Sequence, residues 1–403
     1  MKVRIVLVGI GGYGGQYADA LMKWEGERPW EIVGVVDPLA EKAPKFKDLK
    51  ALGMGFYDNL ASFYAENKAD LAIISSPIEF HCAQSCEALS HGTNVLCEKP
   101  ISAVVQQAYA MQEARDKSNG AFLAIGYQWS YSPQMQALKA DILSGKFGAP
   151  RRMKTLALWP RNDAYYGRNN WAGCMKSASG EWILDSPVNN ATAHYLHNML
   201  YVIGPAVDRS ATPASVQAEL YRANPITNYD TGLLRVMTTD GVEILFYTTH
   251  AVPRFRGPEF VFEFDDATVR YMVKPSRFWA ETKSGEVIEY GSPEQSVHRK
   301  LQAAIRGAQG DASAIVCGVE AALPHCLCMN GAQESVDDIV DFPANWIYKK
   351  GVPGNQVRVM AGLAELVEAG YDAWKLPGEV KPQAWTVVGK PVDLSNYRKF
   401  PSR

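Results

Sequence analysis

Apolar positions along this chain follow two rhythms. Up to about residue 126 they come as short unbroken runs, at 4–8, 31–36, 71–75, 94–97 and 122–125, which read as strands buried on both faces. Between them lie helical stretches at 16–24, 59–66, 79–91 and 103–117. Strand alternating with helix implies a parallel sheet covered on both sides, an α/β fold of the doubly wound type. Beyond residue 126 the pattern changes. A helix at 133–144 leads through Gly145 and Gly148 into a strand at 151–159, and another helix covers 190–203. Period-2 alternation at 215–221, 232–237, 243–249, 259–264 and 268–273 then predicts an antiparallel sheet. Helices recur at 293–306, 318–333 and 357–369, and the Pro- and Lys-rich residues from about 372 read as an irregular tail. Two domains are therefore expected, an α/β domain at 1–126 and an α+β domain at 127–403.

The first strand runs directly into Gly9-Ile10-Gly11-Gly12-Tyr13-Gly14, and a helix follows. A dinucleotide site requires this order. Gly9 permits the tight turn, Gly11 lets the backbone approach a pyrophosphate, and Gly14 lets helix and strand pack closely. The anion then meets the free amides and positive dipole end of the helix. The second strand ends in Asp37, 23 residues after Gly14, close to the ~20 expected of the acid that binds a ribose 2′-hydroxyl. A carboxylate there repels a 2′-phosphate, and Pro38-Leu39 supply no arginine to hold one, so NAD is expected over NADP.

Charge and cysteine content narrow the remaining classes. With 41 basic and 43 acidic residues, the chain has no electrostatic footprint for nucleic acid or an anionic membrane. The seven cysteines are sparse and odd in number, as expected of reduced thiols in a cytoplasmic protein. Residues 2–8 have the charged and apolar parts of a signal peptide, but the run is short and doubles as the first strand. No stretch approaches the ~18 consecutive apolar residues of a membrane span.

The strand at 94–97 runs into Glu98-Lys99-Pro100. With this turn, with Ser75-Ser76-Pro77 followed by His81, and with Gly126-Tyr127-Gln128, the sequence resembles the Gfo/Idh/MocA family of nicotinamide-dependent oxidoreductases. Gly318-Val319-Glu320-Ala321-Ala322 with Glu334-Ser335 resembles the family's late helix. The resemblance implies a Rossmann domain followed by a domain built on a large open, mostly antiparallel sheet. That sheet would make the contacts of a homodimer or homotetramer, and a carbohydrate substrate would lie between the domains. It also implies cofactor contacts from Gly12, Tyr13, Ser75, Ser76, Pro77, His81, Glu98, Lys99, Gln128 and Trp171, although the Arg that usually follows this Trp is Ala172 here.

Oxidising a secondary alcohol requires an acceptor for the hydroxyl proton beside the ring that takes the hydride. Lys99 is the candidate, being placed at the carboxyl end of a parallel strand, where ligands of such sheets bind. Glu98 is expected to orient or neutralise its ammonium. Family members carry an Asp, then a His four residues on, then an Asp three after that. This chain reads Asp185-Ser186-Pro187-Val188-Asn189-Asn190-Ala191-Thr192-Ala193-His194-Tyr195-Leu196-His197. One register puts Asn189 at the family histidine. The other inserts about five residues and puts His194 there, with His197 replacing the last Asp. His194 is taken as acid/base or hydroxyl ligand, Asp185 as a further catalytic candidate, and Asn190, His197 and Tyr127 as substrate ligands.

The segment holding Trp159, Arg161, Tyr165, Tyr166, Arg168 and Trp171 combines flat faces with multi-donor groups suited to stacking a sugar ring and bonding its hydroxyls. Trp159 and Arg161 are the substrate candidates in it, and a subunit interface would use the same residue types. His194, His197 and Asp185 could imitate a metal site, but the resemblance and the cysteine spacing favour none. His325 with Cys326 and Cys328, and His81 with Cys82 and Cys86, read as packing residues.

The expected function is an NAD-dependent dehydrogenase acting on a secondary hydroxyl or ketone of a sugar, glycoside or cyclitol. One alternative keeps NAD bound and uses transient oxidation to drive elimination or glycoside cleavage, and would release no NADH. Another is a sensor of NAD or sugar without turnover, against which the retained Glu98-Lys99-Pro100 argues.

Overall fold

A computed structural model describes residues 2–293 and 297–401. Residues 294–296, in the helix expected at 293–306, lie outside the described residues. The chain forms two compact units, Met1–Ser102 with Gln106–Ser132 and Glu294–Leu323, and Ala103–Val105 with Pro133–Pro293 and Pro324–Arg403. The border thus falls several residues past 126, and the first unit takes back a segment from late in the chain.

The first unit is a six-stranded sheet of β1 (Val3–Val8), β2 (Trp30–Val36), β3 (Phe56–Tyr57), β4 (Leu71–Ile74), β5 (Asn94–Cys97) and β6 (Leu123–Ile125). Their spatial order is β3-β2-β1-β4-β5-β6, and every pairing is parallel. Parallel neighbours need crossovers, supplied by α1 (Gly14–Met22), α2 (Phe46–Ala51), α3 (Leu60–Glu66), α4 (His81–Ser90) and α5 (Val105–Asp116). Asn59 caps α3, its side-chain oxygen accepting from the Ser62 amide at 2.8 Å. The core of Ile5, Leu7, Leu21, Val35, Leu71 and Leu96 is completed by Leu301, Ala304 and Ile305 from the helix His298–Ala308.

One row of register decides what meets at the edge of this sheet. Val36 pairs with Val8, Val8 with Ile74, Ile74 with Cys97, and Cys97 with Ile125. The residue after each, Asp37, Gly9, Ser75, Glu98 and Gly126, therefore leaves the sheet at the same carboxyl edge. All the short motifs of the first third converge there.

The second unit carries α6 (Pro133–Leu143), β7 (Pro150–Leu158), α7 (Asp163–Tyr166) and α8 (Ala193–Val202). Strands β8 (Pro213–Arg222), β9 (Thr231–Thr238), β10 (Glu243–Thr249), β11 (Arg256–Phe264), β12 (Ala267–Val273), β13 (Ser276–Thr282) and β14 (Val287–Gly291) follow. With β15 (Val340–Asp341) and a strand at Val392–Asp393 they make a ten-stranded sheet, antiparallel except where β10 meets β7 and β15 meets β8. The late helix is Val319–Ser335. At 357–369, where a single helix is expected, a strand (Val357–Met360) pairs with Ile347–Lys350, and a helix starts only at Leu363, after Gly362 at φ +75°.

Both faces of the sheet's middle are covered. On one, Thr155 meets Met199 and Thr248 meets Thr192, from α8 and the turn before it. On the other, Leu156, Leu245 and Tyr247 pack against Leu363, Val367 and Tyr371 of the helix Leu363–Ala373. The tail is docked rather than irregular: Leu376, Leu394, Tyr397 and Phe400 are buried, and Gly378 donates to the enclosed Glu219 carboxylate at 2.9 Å. The outer strands remain solvated on that face, with exposed ion pairs Arg270–Glu281 and Arg277–Glu289. The stretch Ala312–Ser335 is long and apolar enough to cross a membrane, but it places His325 and Asn330 in the protein interior, as a core helix does.

Candidate active site

At the carboxyl edge of the first sheet, Gly9 takes φ +79°, and a Cβ there would stand 2.8 Å from the Ser76 nitrogen. A Cβ on Gly14 would stand 2.1 Å from the Gly9 carbonyl oxygen, so strand end and helix start close to a distance only glycine allows. Around Gly11 nothing lies within 4 Å of that position, which leaves backbone open to a ligand. Asp37 is tied into the turn: its Oδ2 accepts from the Ile10 amide at 3.0 Å and its Oδ1 from the Leu39 amide at 2.9 Å. Each oxygen keeps a lone pair for a ribose hydroxyl. The buried Ser75 hydroxyl has no protein partner among the described residues.

Glu98 is engaged by an ammonium from late in the chain. Its Oε1 lies 2.5 Å from the Nζ of Lys300 and accepts from the Tyr17 hydroxyl at 2.5 Å. Lys300 is wholly buried, donates also to the Gly126 carbonyl at 3.0 Å, and reaches the Tyr13 hydroxyl at 3.4 Å. Tyr13 in turn meets Gln128 Oε1 at 3.2 Å. One buried ion pair thus fastens the glycine turn, the Glu-Lys-Pro turn and the end of β6 together. Burial pushes Lys300 below the ordinary lysine range, with Glu98 opposing. His81 is a second fastening. Its Nδ1 lies 2.9 Å from the Pro100 carbonyl and its Nε2 3.0 Å from that of Ser76, so it joins two turns and is 1 % exposed.

In the second unit the candidates gather before and within α8. Leu184 holds φ +51°, a strained value for a branched side chain, and Asn189 Nδ2 donates to the carbonyls of Ile183 (3.1 Å) and Leu184 (3.0 Å). A π-helical turn, Pro187–Ala191, follows where a regular helix start is expected. Asp185 is buried and occupied: it accepts from the Gly173 amide at 2.6 Å and from Asn190 Nδ2 at 2.8 Å, and it pairs with Arg168 at 3.5 Å. His194 is half-buried in the first turn of α8. His197 stacks on Tyr201 at 5.6 Å and is 1 % exposed; burial, then His325 and Lys139, hold it well below the usual imidazole range. The segment before the turn brings Trp159, Arg161, Tyr165, Tyr166 and Arg168 around His250, whose Nδ1 lies 2.9 Å from the Tyr166 hydroxyl.

Residues 3–127 match the model of an oxidoreductase family with an NAD-binding Rossmann fold, GFO_IDH_MocA. Over that segment the chain is similar to the Gfo/Idh/MocA family. Similar curated proteins are inositol 2-dehydrogenase of Rubrobacter xylanophilus, 26 % identical over 50 % of this chain and 52 % of that protein, and an uncharacterized oxidoreductase of Streptococcus pneumoniae, 30 % identical over 49 % and 48 %. The chain spans about half the length of these relatives. Among solved structures, the WlbA dehydrogenase of Bordetella pertussis, in complex with NADH and UDP-GlcNAcA, superposes with a TM-score of 0.67 at 22 % identity, covering 84 % of this chain and 97 % of that one. The likeness extends the family fold through the second unit.

This similarity leaves particular residues to be judged by position. Tyr127 and His197 are enclosed by the core, so neither offers a surface to a substrate, contrary to expectation. His81 is likewise engaged at both ring nitrogens by backbone rather than turned to a cofactor. The pairs His325/Cys326 and Cys82/Cys86 contribute to no group of three or more metal-ligating side chains among the described residues. Two participants escaped the sequence reading. Lys300 gives no local signal because its partner lies 202 positions away. His250 follows a buried strand.

Proposed function

We propose that this chain is an NAD-dependent dehydrogenase acting on a secondary hydroxyl, or the matching ketone, of a sugar, glycoside or cyclitol. The observation that carries this reading is the shared register row that brings the Gly9 turn, Asp37, Ser75 and the Glu98-Lys99-Pro100 turn to one sheet edge. NAD supplies the hydride acceptor when bound. The open backbone at Gly11, the unpartnered Ser75 hydroxyl and the two oxygens of Asp37 suit its pyrophosphate and its ribose.

Lys99 sits on the half-buried residue of the turn, flanked by buried Glu98 and Pro100. Glu98 is engaged by Lys300. The Lys99 amine is then the group to take the hydroxyl proton, its own pKa lowered by a cationic ring beside it. In the second unit Asp185 and Asn190 anchor the approach to His194, which binds a substrate hydroxyl or relays its proton. Asp185 acts as an anchor because its oxygens are already occupied by Gly173, Asn190 and Arg168.

A screen of sugars, glycosides and inositols for NADH release tests the reading, with Lys99→Ala as its control. The variant should lose about a thousandfold or more in kcat while NAD affinity stays within a few-fold. Undiminished turnover in Lys99→Ala would remove the lysine from the chemistry.

A further inference from the structure

We propose that the second unit holds its ligand by an acidic substituent, a carboxylate or a phosphate, bound between Arg161 and Arg168. This rests on the reading of that unit as the substrate-binding part and names the class of substrate.

Both guanidinium groups bear on one aromatic ring. Arg168 lies 3.8 Å from the centroid of Tyr165 and Arg161 lies 4.8 Å from it, with Trp171 and Trp159 as their outer neighbours at 5.2 and 5.4 Å. Two like charges on one ring repel. Among the described residues a single acid forms an ion pair with them. Asp185 pairs with Arg168, and its oxygens also serve the Gly173 amide and Asn190. Arg161 has no side-chain hydrogen bond and no ion pair among the described residues, and its Nε is buried without a partner. A partly buried guanidinium with all its donors unspent costs free energy in the free protein. An anion returns that cost, through the planar fork that suits carboxylate and phosphate.

The third wall is His250, which is 1 % exposed. Its Nδ1 is engaged by the Tyr166 hydroxyl, and its Nε2 has no partner among the described residues. Burial, with Arg161 and Arg168 nearby, holds this imidazole well below its usual range, so it stays neutral and adds no third positive charge. With the Tyr166 hydroxyl donating to Nδ1, Nε2–H is a donor for the same anion.

The segment is held in place before any ligand arrives. The Asp163 amide donates to the Gln356 carbonyl at 3.0 Å, and the Gln356 amide returns a bond to the Asp163 carboxylate at 2.9 Å. Asn162 bridges to Val357 as well, so a hairpin from late in the chain fixes the loop that carries both arginines. Such anchoring is what a preorganised charge site needs.

The test is calorimetric binding to the NAD-loaded full chain, without reference to turnover. The probes are D-glucose, D-galactose, D-mannose and myo-inositol, the uronic acids of the three sugars, and the monophosphates of all four. At least one acidic member should bind tenfold or more tightly than its neutral parent, and added salt should erode the difference. Arg161→Gln should abolish that preference while leaving NAD affinity and melting temperature in place. Arg161→Lys should restore part of it. Preference within the uronic acids identifies a carboxylate, and within the monophosphates a phosphate; either supports the site. A wild type that favours no acidic probe over its parent, or an unchanged preference in Arg161→Gln, overturns it. A preference that persists where no probe yields NADH would instead count against the dehydrogenase reading alone.

Discussion

The candidate sites of the two units are built on opposite plans. At the edge of the six-stranded sheet the ligand-facing groups are mainly backbone, set by residues adjacent in sequence: a glycine turn, an aspartate ending the next strand, a Glu-Lys-Pro turn. In the second unit they are side chains, placed by nearby residues in one case and by a distant segment in the other. Asp185 is placed by Gly173 and Asn190, and the Arg161–Arg168 loop by a hairpin some 190 residues further on. A site written in backbone is constrained by sterics. One written in side chains can change its ligand while its frame stays intact, as expected where cofactor is constant and substrate varies.

That contrast can be broken most sharply at Lys300, a side-chain fastening inside the backbone-built half. Lys300→Met leaves Glu98 buried without its cation and should cost about 3–5 kcal/mol in urea denaturation, with Glu98→Gln added to it recovering part of the loss. A loss below about 1 kcal/mol would mean the pair is replaceable packing. Next in size is Gly14→Ala, whose Cβ meets the Gly9 carbonyl at 2.1 Å. NAD affinity measured by calorimetry should fall by about tenfold to a hundredfold. Unchanged affinity would show that helix and strand can separate there without harm. Asp37→Ala should narrow the preference for NAD over NADP by about tenfold, one charge-assisted hydrogen bond's worth; an unchanged ratio places the ribose acid elsewhere.

A further test concerns the docked tail. Burial lifts the Glu219 carboxyl to about 7, against the pull of the Tyr221 hydroxyl and the Gly378 amide. The folded form therefore holds this proton more tightly than the unfolded chain. The resulting stability is complete below the ordinary carboxylate value and is lost as pH rises through about 7. Glu219→Gln should shrink the difference in unfolding free energy between pH 5 and pH 8 by about 1–3 kcal/mol. An identical pH dependence in the variant would show that the carboxyl is already ionised beneath the tail.

What could be read from the chain follows the same division. The strands at 94–97 and 243–249 lie where alternation and burial place them, because each is decided by its own residues. The pieces α2 and β3 escaped notice because six and two residues carry too little periodicity. Strands β13 and β14 were hidden by edge positions such as Arg277, Glu281 and Glu289, which pair with opposite charges instead of alternating with apolar neighbours. At 357–369 a four-residue strand and a helix share one apolar run, and only the left-handed Gly362 separates them. The tail reads as irregular locally, and its burial comes from a sheet laid down far earlier in the chain.

The helix His298–Ala308 carries a consequence for how the protein is made. It supplies Leu301, Ala304 and Ile305 to the first core and Lys300 to Glu98, yet the ribosome reaches it only after the whole ten-stranded sheet except its two late edge strands has emerged. The nucleotide-binding half begins first and is finished late. A fragment stopped at residue 132 would carry every cofactor motif of the first third and still expose a raw apolar flank, with a lone carboxylate buried where its cation should be.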